Sequence, residues 1–158
     1  MPPALLFDLD QLDLTADPVA SKDDISQFNP QRYEMQQLDG ILWYEETKHQ
    51  ILGYKDVTDS EFWIRGHIPG RPIMPGVIMI EAAAQVLSYY VKAIMKAEGF
   101  VGFGGIESAK FRSTVSPGSR LYILGQGTKL SSRRNIFATQ GIADGKMIFE
   151  ASIAGLRV

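Results

Sequence analysis

His67 stands in a stretch dense in chain-breaking residues, Gly66-His67-Ile68-Pro69-Gly70-Arg71-Pro72-Ile73-Met74-Pro75-Gly76. Six of these eleven residues are Gly or Pro. Such a backbone is held by rings and sharp turns, so the loop is expected to be rigid. Nine residues after His67, Gly76 opens a run rich in helix formers. Five residues further on, that run carries a lone carboxylate, Glu81. An imidazole titrates near neutral pH and can take a proton. The first N–H groups of a helix lack carbonyl partners and sit at the positive end of its dipole. Gly76 and Val77 would therefore offer an oxyanion-type site to a carbonyl that turns enolate-like. Desolvation on an apolar helix pushes a carboxyl toward its protonated form, which is what a general acid needs. Base, acid and carbonyl-polarising N–H together suit proton abstraction next to a carbonyl, with loss of a β-leaving group. Each residue also has a plainer reading. A lone loop histidine is often a hydrogen-bonded structural residue. Glu81 can belong to a solvent stripe with Gln85, Ser88 and Lys92, whose helical offsets put all four on one side.

The elements that must position these residues follow from patterning. From Val77 to Lys96 there is no Gly or Pro, and Gly99 supplies a stop. The run is apolar on nearly every side, which marks a buried helix. Upstream, Gly40–Glu46 and His49–Val57 read as two strands joined by Thr47-Lys48, a hairpin. Downstream, the glycines at 99, 102, 104 and 105 read as a loop into a strand at Ile106–Val115. Further strands follow at Arg120–Leu130, Asn135–Ala143 and Lys146–Ala154, the last two joined by Asp144-Gly145, a strong hairpin signal. Gly125-Gln126-Gly127 suggests a bulge or close packing. Helix and strands do not alternate, so the expectation is an α+β domain with an antiparallel sheet packed around one central helix. Residues 1–24 read as an N-terminal extension and 25–158 as the domain. The extension is expected to be a tethered terminus or a packed arm, without chemistry of its own.

Composition narrows the function classes. The chain has 158 residues, enough for one compact domain. Sixteen Lys and Arg against eighteen Asp and Glu leave a net charge of −2, the wrong sign for a dedicated nucleic-acid binder. With no cysteine, thiolate metal sites, a Cys nucleophile and disulfides are all excluded. Two histidines far apart, one of them His49 at a strand start and read as exposed, give little ground for a metal site. Acids at positions 8, 10 and 13 argue against a signal peptide. The longest apolar stretch is interrupted by Glu81 and Gln85, so no membrane span is expected. The expectation is a soluble cytoplasmic protein.

The run from Gly66 to Gln85, continuing through Val77-Ile-Met-Ile-Glu81-Ala-Ala-Ala-Gln85, resembles the active-site signature of β-hydroxyacyl-[acyl-carrier-protein] dehydratases. The likeness is to the type of bacterial type II fatty-acid synthesis that carries Glu rather than Asp on the helix. Gly53-Tyr54-Lys55-Asp56-Val57-Thr58, Lys110-Phe111-Arg112 and Val115-Ser116-Pro117-Gly118 resemble the family's flanking strands and turn. The resemblance covers about residues 25 to 155. It implies a hotdog fold, a sheet wrapped around one long helix. It implies that His67 takes the α-proton of a 3-hydroxyacyl thioester and that Glu81 protonates the departing hydroxyl. The Gly76 N–H would polarise the thioester carbonyl. The Ile73 carbonyl would orient His67, and Gln85 would support the acid. The product would be a trans-2-enoyl thioester, formed without metal or organic cofactor.

The resemblance also implies partners. The acyl chain would arrive on the phosphopantetheine arm of acyl carrier protein, an acidic partner that basic rim residues would steer. Arg71, Lys110 and Arg112 are the candidates, with Arg133-Arg134 read rather as a solvated turn. The active site would be shared across a homodimer, His67 from one chain and Glu81 from the other, with dimers assembling further into trimers of dimers. Two departures bear on the acyl tunnel. Ile68 stands where the family usually has Phe, and Pro30-Gln31-Arg32-Tyr33-Glu34-Met35 stands where it has a Pro-His-Arg-Tyr-Pro-Phe-like run. Ile68, Tyr33 and Phe103 are the tunnel candidates. Chain-length preference is left open. So are a hotdog thioesterase, a dehydratase that also isomerises, and an acyl-binding subunit without turnover.

Overall fold

A computed structural model describes residues 3–158. Seven antiparallel strands form one sheet: β1 (Ala20–Ser21), β2 (Gly40–Glu45), β3 (Gln50–Asp56), β4 (Val101–Phe111), β5 (Arg120–Leu130), β6 (Arg134–Ala143) and β7 (Lys146–Arg157). Their order across the sheet is β1-β2-β3-β5-β6-β7-β4. A short helix, α1 (Lys22–Ser26), precedes the single long one, α2 (Gly76–Tyr89). This is the hotdog architecture expected from the sequence.

The sheet closes around α2 because its strands alternate. Ile51 on β3 and Leu121 and Ile123 on β5 face the helix, whereas Leu52, Tyr54 and Leu124 point to the outer face. Met79, Ile80, Ala82, Ala83, Val86 and Leu87 of α2 are buried against the inner face. Gly53 makes that approach close: a Cβ there would sit 3.0 Å from Val86 Cγ2. The helix runs on past Tyr89 through one wider turn over Tyr90–Ile94, where the Met95 N–H bonds the Tyr90 carbonyl. At nineteen residues, Gly76–Ile94 is long and apolar enough by itself to cross a bilayer. Glu81 and Gln85 do not interrupt it enough to rule out a span by length. What matters is that most of this helix is buried inside the fold.

Three local expectations are corrected. The glycine-rich stretch after α2 is strand: β4 starts at Val101 and ends at Phe111, not Val115. Register shifts at Phe103/Gly105 and Ile106/Ser108 accommodate it. A side chain at Gly104 would collide with Leu156, with a Cβ 2.6 Å from Cγ. His49 is not exposed at a strand start. It lies in the turn before β3, half-buried, with Nδ1 3.0 Å from the Tyr90 hydroxyl. Gly127 does mark a register shift in β5, as its surroundings suggested.

The extension packs on the body. Leu6, Phe7, Leu9, Leu12 and Leu14 lie over the outer-face cluster of Leu42, Leu52, Tyr54 and Leu124. Gln140 latches it in both directions: the Leu6 N–H donates to its Oε1 at 2.9 Å, and its Nε2 donates to the Ala4 carbonyl at 2.9 Å.

Candidate active site

The loop that carries His67 is fixed at both ends. The His67 N–H donates to the Trp63 carbonyl at 2.8 Å, and the Met74 N–H donates to the Val115 carbonyl at 2.8 Å. Ile68 and Arg71 exchange backbone hydrogen bonds of 3.0 and 2.8 Å across a turn whose Gly70 has φ +78°. Inside this frame His67 Nδ1 lies 2.9 Å from the Ile73 carbonyl oxygen. A carbonyl only accepts, so Nδ1 carries the hydrogen and the neutral ring presents the lone pair of Nε2. This bond is the one a structural loop histidine would make, and it leaves Nε2 of the neutral ring without a hydrogen.

Glu81 is half-buried, and its neighbour Gln85 is only 2% exposed. Gln85 does not belong to a solvent stripe. The Gln37 N–H donates to Gln85 Oε1 at 2.9 Å, and Gln85 Nε2 donates to the Met35 carbonyl at 2.7 Å. A backbone N–H and a backbone carbonyl at either end leave the amide one orientation. Its second Nε2 hydrogen goes to Glu81 Oε1 at 3.0 Å. Oε1 is thereby an acceptor, and a proton on Glu81 sits on Oε2. The loop before β2 holds this network in place. Asn29 Nδ2 donates to the Gln85 carbonyl at 2.9 Å, and the ring of Phe28 packs edge-on against Tyr89 at 5.8 Å.

Glu81 opens onto a cavity of about 220 Å³ between α2 and β4. Gln31, Ala84, Leu87, Ser88, Phe103 and Ile153 are among its lining residues. His67 is not. Gly76 begins α2, five residues and about 7.5 Å of helix rise from Glu81. Its N–H and that of Val77 have no carbonyl within the helix to bond. Phe111 at the end of β4 lies against Gly76, where a Cβ would come 2.7 Å from Cε1. Phe111 stood in the flanking motif, but nothing in the pattern pointed to its seat at the helix start.

The remaining candidates are spread more widely. Ile68 is exposed at the tip of the His67 loop. Tyr33, 88% exposed, stands over a separate polar groove with Phe62 and Lys55, away from the Glu81 cavity. Arg71 and Lys110 are exposed and form no ion pair among the described residues. Arg112 is paired with Glu150 at 2.6 Å.

A family model described as a FabA-like domain matches residues 29–152. The chain belongs to the FabA-like family. Among curated relatives, a 3-hydroxyacyl-[acyl-carrier-protein] dehydratase FabZ from Clostridium botulinum (strain Loch Maree / Type A3) is 40% identical over 134 residues, covering 82% of this chain and 90% of its own. One of the same description from Clostridium tetani is 38% identical over 131 residues, covering 82% and 92%. Among solved structures, the dehydratase heterocomplex ApeI:P from Xenorhabdus doucetiae matches with a TM-score of 0.71 at 14% identity, over 85% of this chain and 90% of that one. A putative thioesterase, yhdA, from Lactococcus lactis matches at 0.63 and 14%, over 85% and 95%. At those identities the structural matches speak for the hotdog fold alone.

Proposed function

We propose that this FabA-like chain removes water from 3-hydroxyacyl chains carried on acyl carrier protein, giving trans-2-enoyl-[acyl-carrier-protein] in fatty-acid or related lipid synthesis. The observation that carries the reading is the pair of fixed hydrogen bonds: Nδ1–H of His67 on the Ile73 carbonyl, and Gln85 Nε2 on Glu81 Oε1. One frees Nε2 as a base and the other reserves Oε2 for an acidic proton. The Cα–H bond breaks toward His67 Nε2. Negative charge growing on the thioester oxygen is met by the Gly76 N–H at the helix start. The Cβ–O bond breaks, and the leaving oxygen takes the proton of Glu81 Oε2 and departs as water. Proton exchange with solvent then resets His67 and Glu81. The curated relatives carry this activity in their names.

The working unit in this reading is a homodimer that pairs His67 of one protomer with Glu81 of the other, with trimers of dimers above it. Two features support it. His67 does not line the Glu81 cavity of its own chain. β4 forms one edge of the sheet, eleven residues long, and carries the exposed apolar side chains Phe103, Ile106 and Phe111. A long apolar edge of this kind is a template for pairing with another strand. Ile68 and Phe103 are the apolar side chains available to wall an acyl tunnel, Tyr33 standing over the polar groove instead, and the cations Arg71 and Lys110, unpaired among the described residues, are better placed than the paired Arg112 to meet an acidic carrier. The enzyme acts in this reading as a soluble cytoplasmic protein.

The test follows enoyl-thioester absorbance with 3-hydroxyacyl-carrier substrates of short and long chain. Wild type turns over, and His67→Ala and Glu81→Gln each lose about a thousandfold. A folded wild type that produces no enoyl signal, but releases free thiol, is a thioesterase instead.

A further inference from the structure

The segment from Phe28 to Gln37 grips α2 at two places. At its start, Asn29 Nδ2 donates to the Gln85 carbonyl and the Phe28 ring packs edge-on against Tyr89. At its end, the Gln37 N–H and the Met35 carbonyl hold the Gln85 amide, which in turn donates to Glu81 Oε1. Between the two grips the chain runs at the surface. Arg32, Tyr33 and Glu34 are exposed, and Tyr33 has a φ of +57°, uncommon outside glycine. Packing does little to hold such a span in one register.

Arg32 joins the two grips. Its Nη1 donates to the carbonyls of Asn29 and Gln31 and its Nη2 to that of Ser26, each at 2.8 Å. Its own carbonyl accepts from the Met35 N–H at 3.2 Å. One residue thus reaches back by its side chain to the first grip and forward by its backbone to the second. A guanidinium suits the task, because its planar fork carries several donors in fixed directions and never loses its charge. Arg32 forms no ion pair among the described residues, so this fork is spent on main-chain oxygens. Two of the three bonds lie at the surface, where water replaces a lost donor at small cost. They contribute more to geometry than to stability.

We propose that Arg32 is a positioning residue for the acid Glu81, an inference that rests on the dehydratase reading above. By locking the segment in one register it sets where the Met35 carbonyl and the Gln37 N–H stand. These set the Gln85 amide, and the amide holds Glu81 Oε1. Without the guanidinium the two grips move independently, the amide samples more than one orientation, and the proton on Oε2 is less often aimed at the leaving hydroxyl. Proton transfer suffers and substrate binding does not, because Arg32 does not line the cavity beside Glu81.

The experiment is a double-mutant cycle of Arg32→Ala and Gln85→Leu, read as enoyl-thioester production per folded molecule. Arg32→Ala should lower kcat about tenfold with KM unchanged. In the Gln85→Leu background the same change should do little, because the path it acts through is gone. Equal losses in both backgrounds overturn the proposal, and so does a rise in KM at unchanged kcat. The side-chain amide resonances of Gln85 in isotope-labelled protein supply a readout apart from turnover. They should be a single slowly exchanging pair in wild type, and doubled or broadened in folded Arg32→Ala. A wild type that makes no enoyl product overturns the dehydratase reading, and the role of Arg32 in that reaction falls with it. A wild type that turns over, beside an Arg32→Ala variant whose Gln85 amide is unchanged, overturns only the role of Arg32.

Discussion

At the scale of single residues, the site works by removing choices. The His67 ring has two tautomers in water and one beside the Ile73 carbonyl. The Gln85 amide has two orientations in isolation and one between the Gln37 N–H and the Met35 carbonyl. What is left over at each, Nε2 of the histidine and the second hydrogen of the amide, points to the work. This predicts how Gln85→Leu will fail. The change leaves the buried Gln37 N–H unpaired, at about 1–3 kcal/mol, and the part-buried Met35 carbonyl without its partner. It also frees the Glu81 carboxyl to rotate. Chemical denaturation should show the stability loss, and kcat should fall further than the folded fraction does. Gln85→Glu, which keeps the acceptor for Gln37, should recover part of the stability but not the donor to Glu81. Equal kcat per folded molecule in Gln85→Leu and wild type would show that Gln85 is structural only.

At the scale of elements, the connection between β3 and α2 is anchored by charge as well as by its prolines. Lys55 on β3 and Glu61 in the connection form an ion pair of 2.9 Å, with side chains 6% and 12% exposed. Burial alone would raise the Glu61 carboxyl. The Thr58 N–H and the Lys55 ammonium outweigh it and hold the group below its ordinary value of 4.5. A carboxyl depressed in the folded state stabilises above its unfolded value, and that contribution is lost as the pH falls through the folded value. Glu61→Gln should therefore cost roughly 3 kcal/mol at neutral pH, because it strands the Lys55 charge in a buried place. The gap in melting temperature between the two proteins should close as the pH drops below about 4.5. A gap that does not change with pH would remove the ion pair from the account. The outer face supplies a second prediction: Phe7→Ala, which opens a tilted ring contact with Trp43 at 5.2 Å, should cost about 1–2 kcal/mol of stability and leave kcat unchanged. Much at this scale was legible beforehand. The helix announced itself by its unbroken run of formers, and the hairpin by Asp144-Gly145. The start of β4 was not legible, because glycines that look like loop in sequence lie in strand here, one of them, Gly104, where Leu156 is too close for a side chain. The seat of residues 6–14 was not legible either. Their alternating leucines are matched by an outer sheet face that only the folded strands create. At the site, the types and spacing of His67, Gly76 and Glu81 pointed to the chemistry. The backbone groups of Met35 and Gln37, which hold Gln85 and through it Glu81, come from a loop whose side-chain pattern does not announce that contact.

At the scale of the whole molecule, one chain does not bring the two proposed catalytic side chains, His67 and Glu81, into one cavity. In the proposed two-fold dimer every contact is made twice, so each chain would lend a histidine to one site and a carboxyl to the other. This gives mixed variants a simple arithmetic. His67→Ala and Glu81→Gln homodimers each carry two damaged sites. In a mixed dimer, one site receives both substitutions and the other receives neither. Unfolding and refolding the two inactive proteins together at equal amounts should place half of the protein in mixed dimers. Half of the sites in those dimers are intact, so activity should return to about a quarter of wild type. A site made within one chain cannot be repaired this way, and the mixture would stay as inactive as its components. The surface that permits the exchange is also open to test. Ile106→Asp puts a charge on the exposed apolar edge of β4, where a paired second copy would have to bury it. The protein should then sediment as a monomer, and co-refolding with either inactive variant should restore nothing. Recovery to a quarter, abolished by Ile106→Asp, would locate the shared site at the β4 edge, and recovery that survives Ile106→Asp would move the interface to another face of the fold.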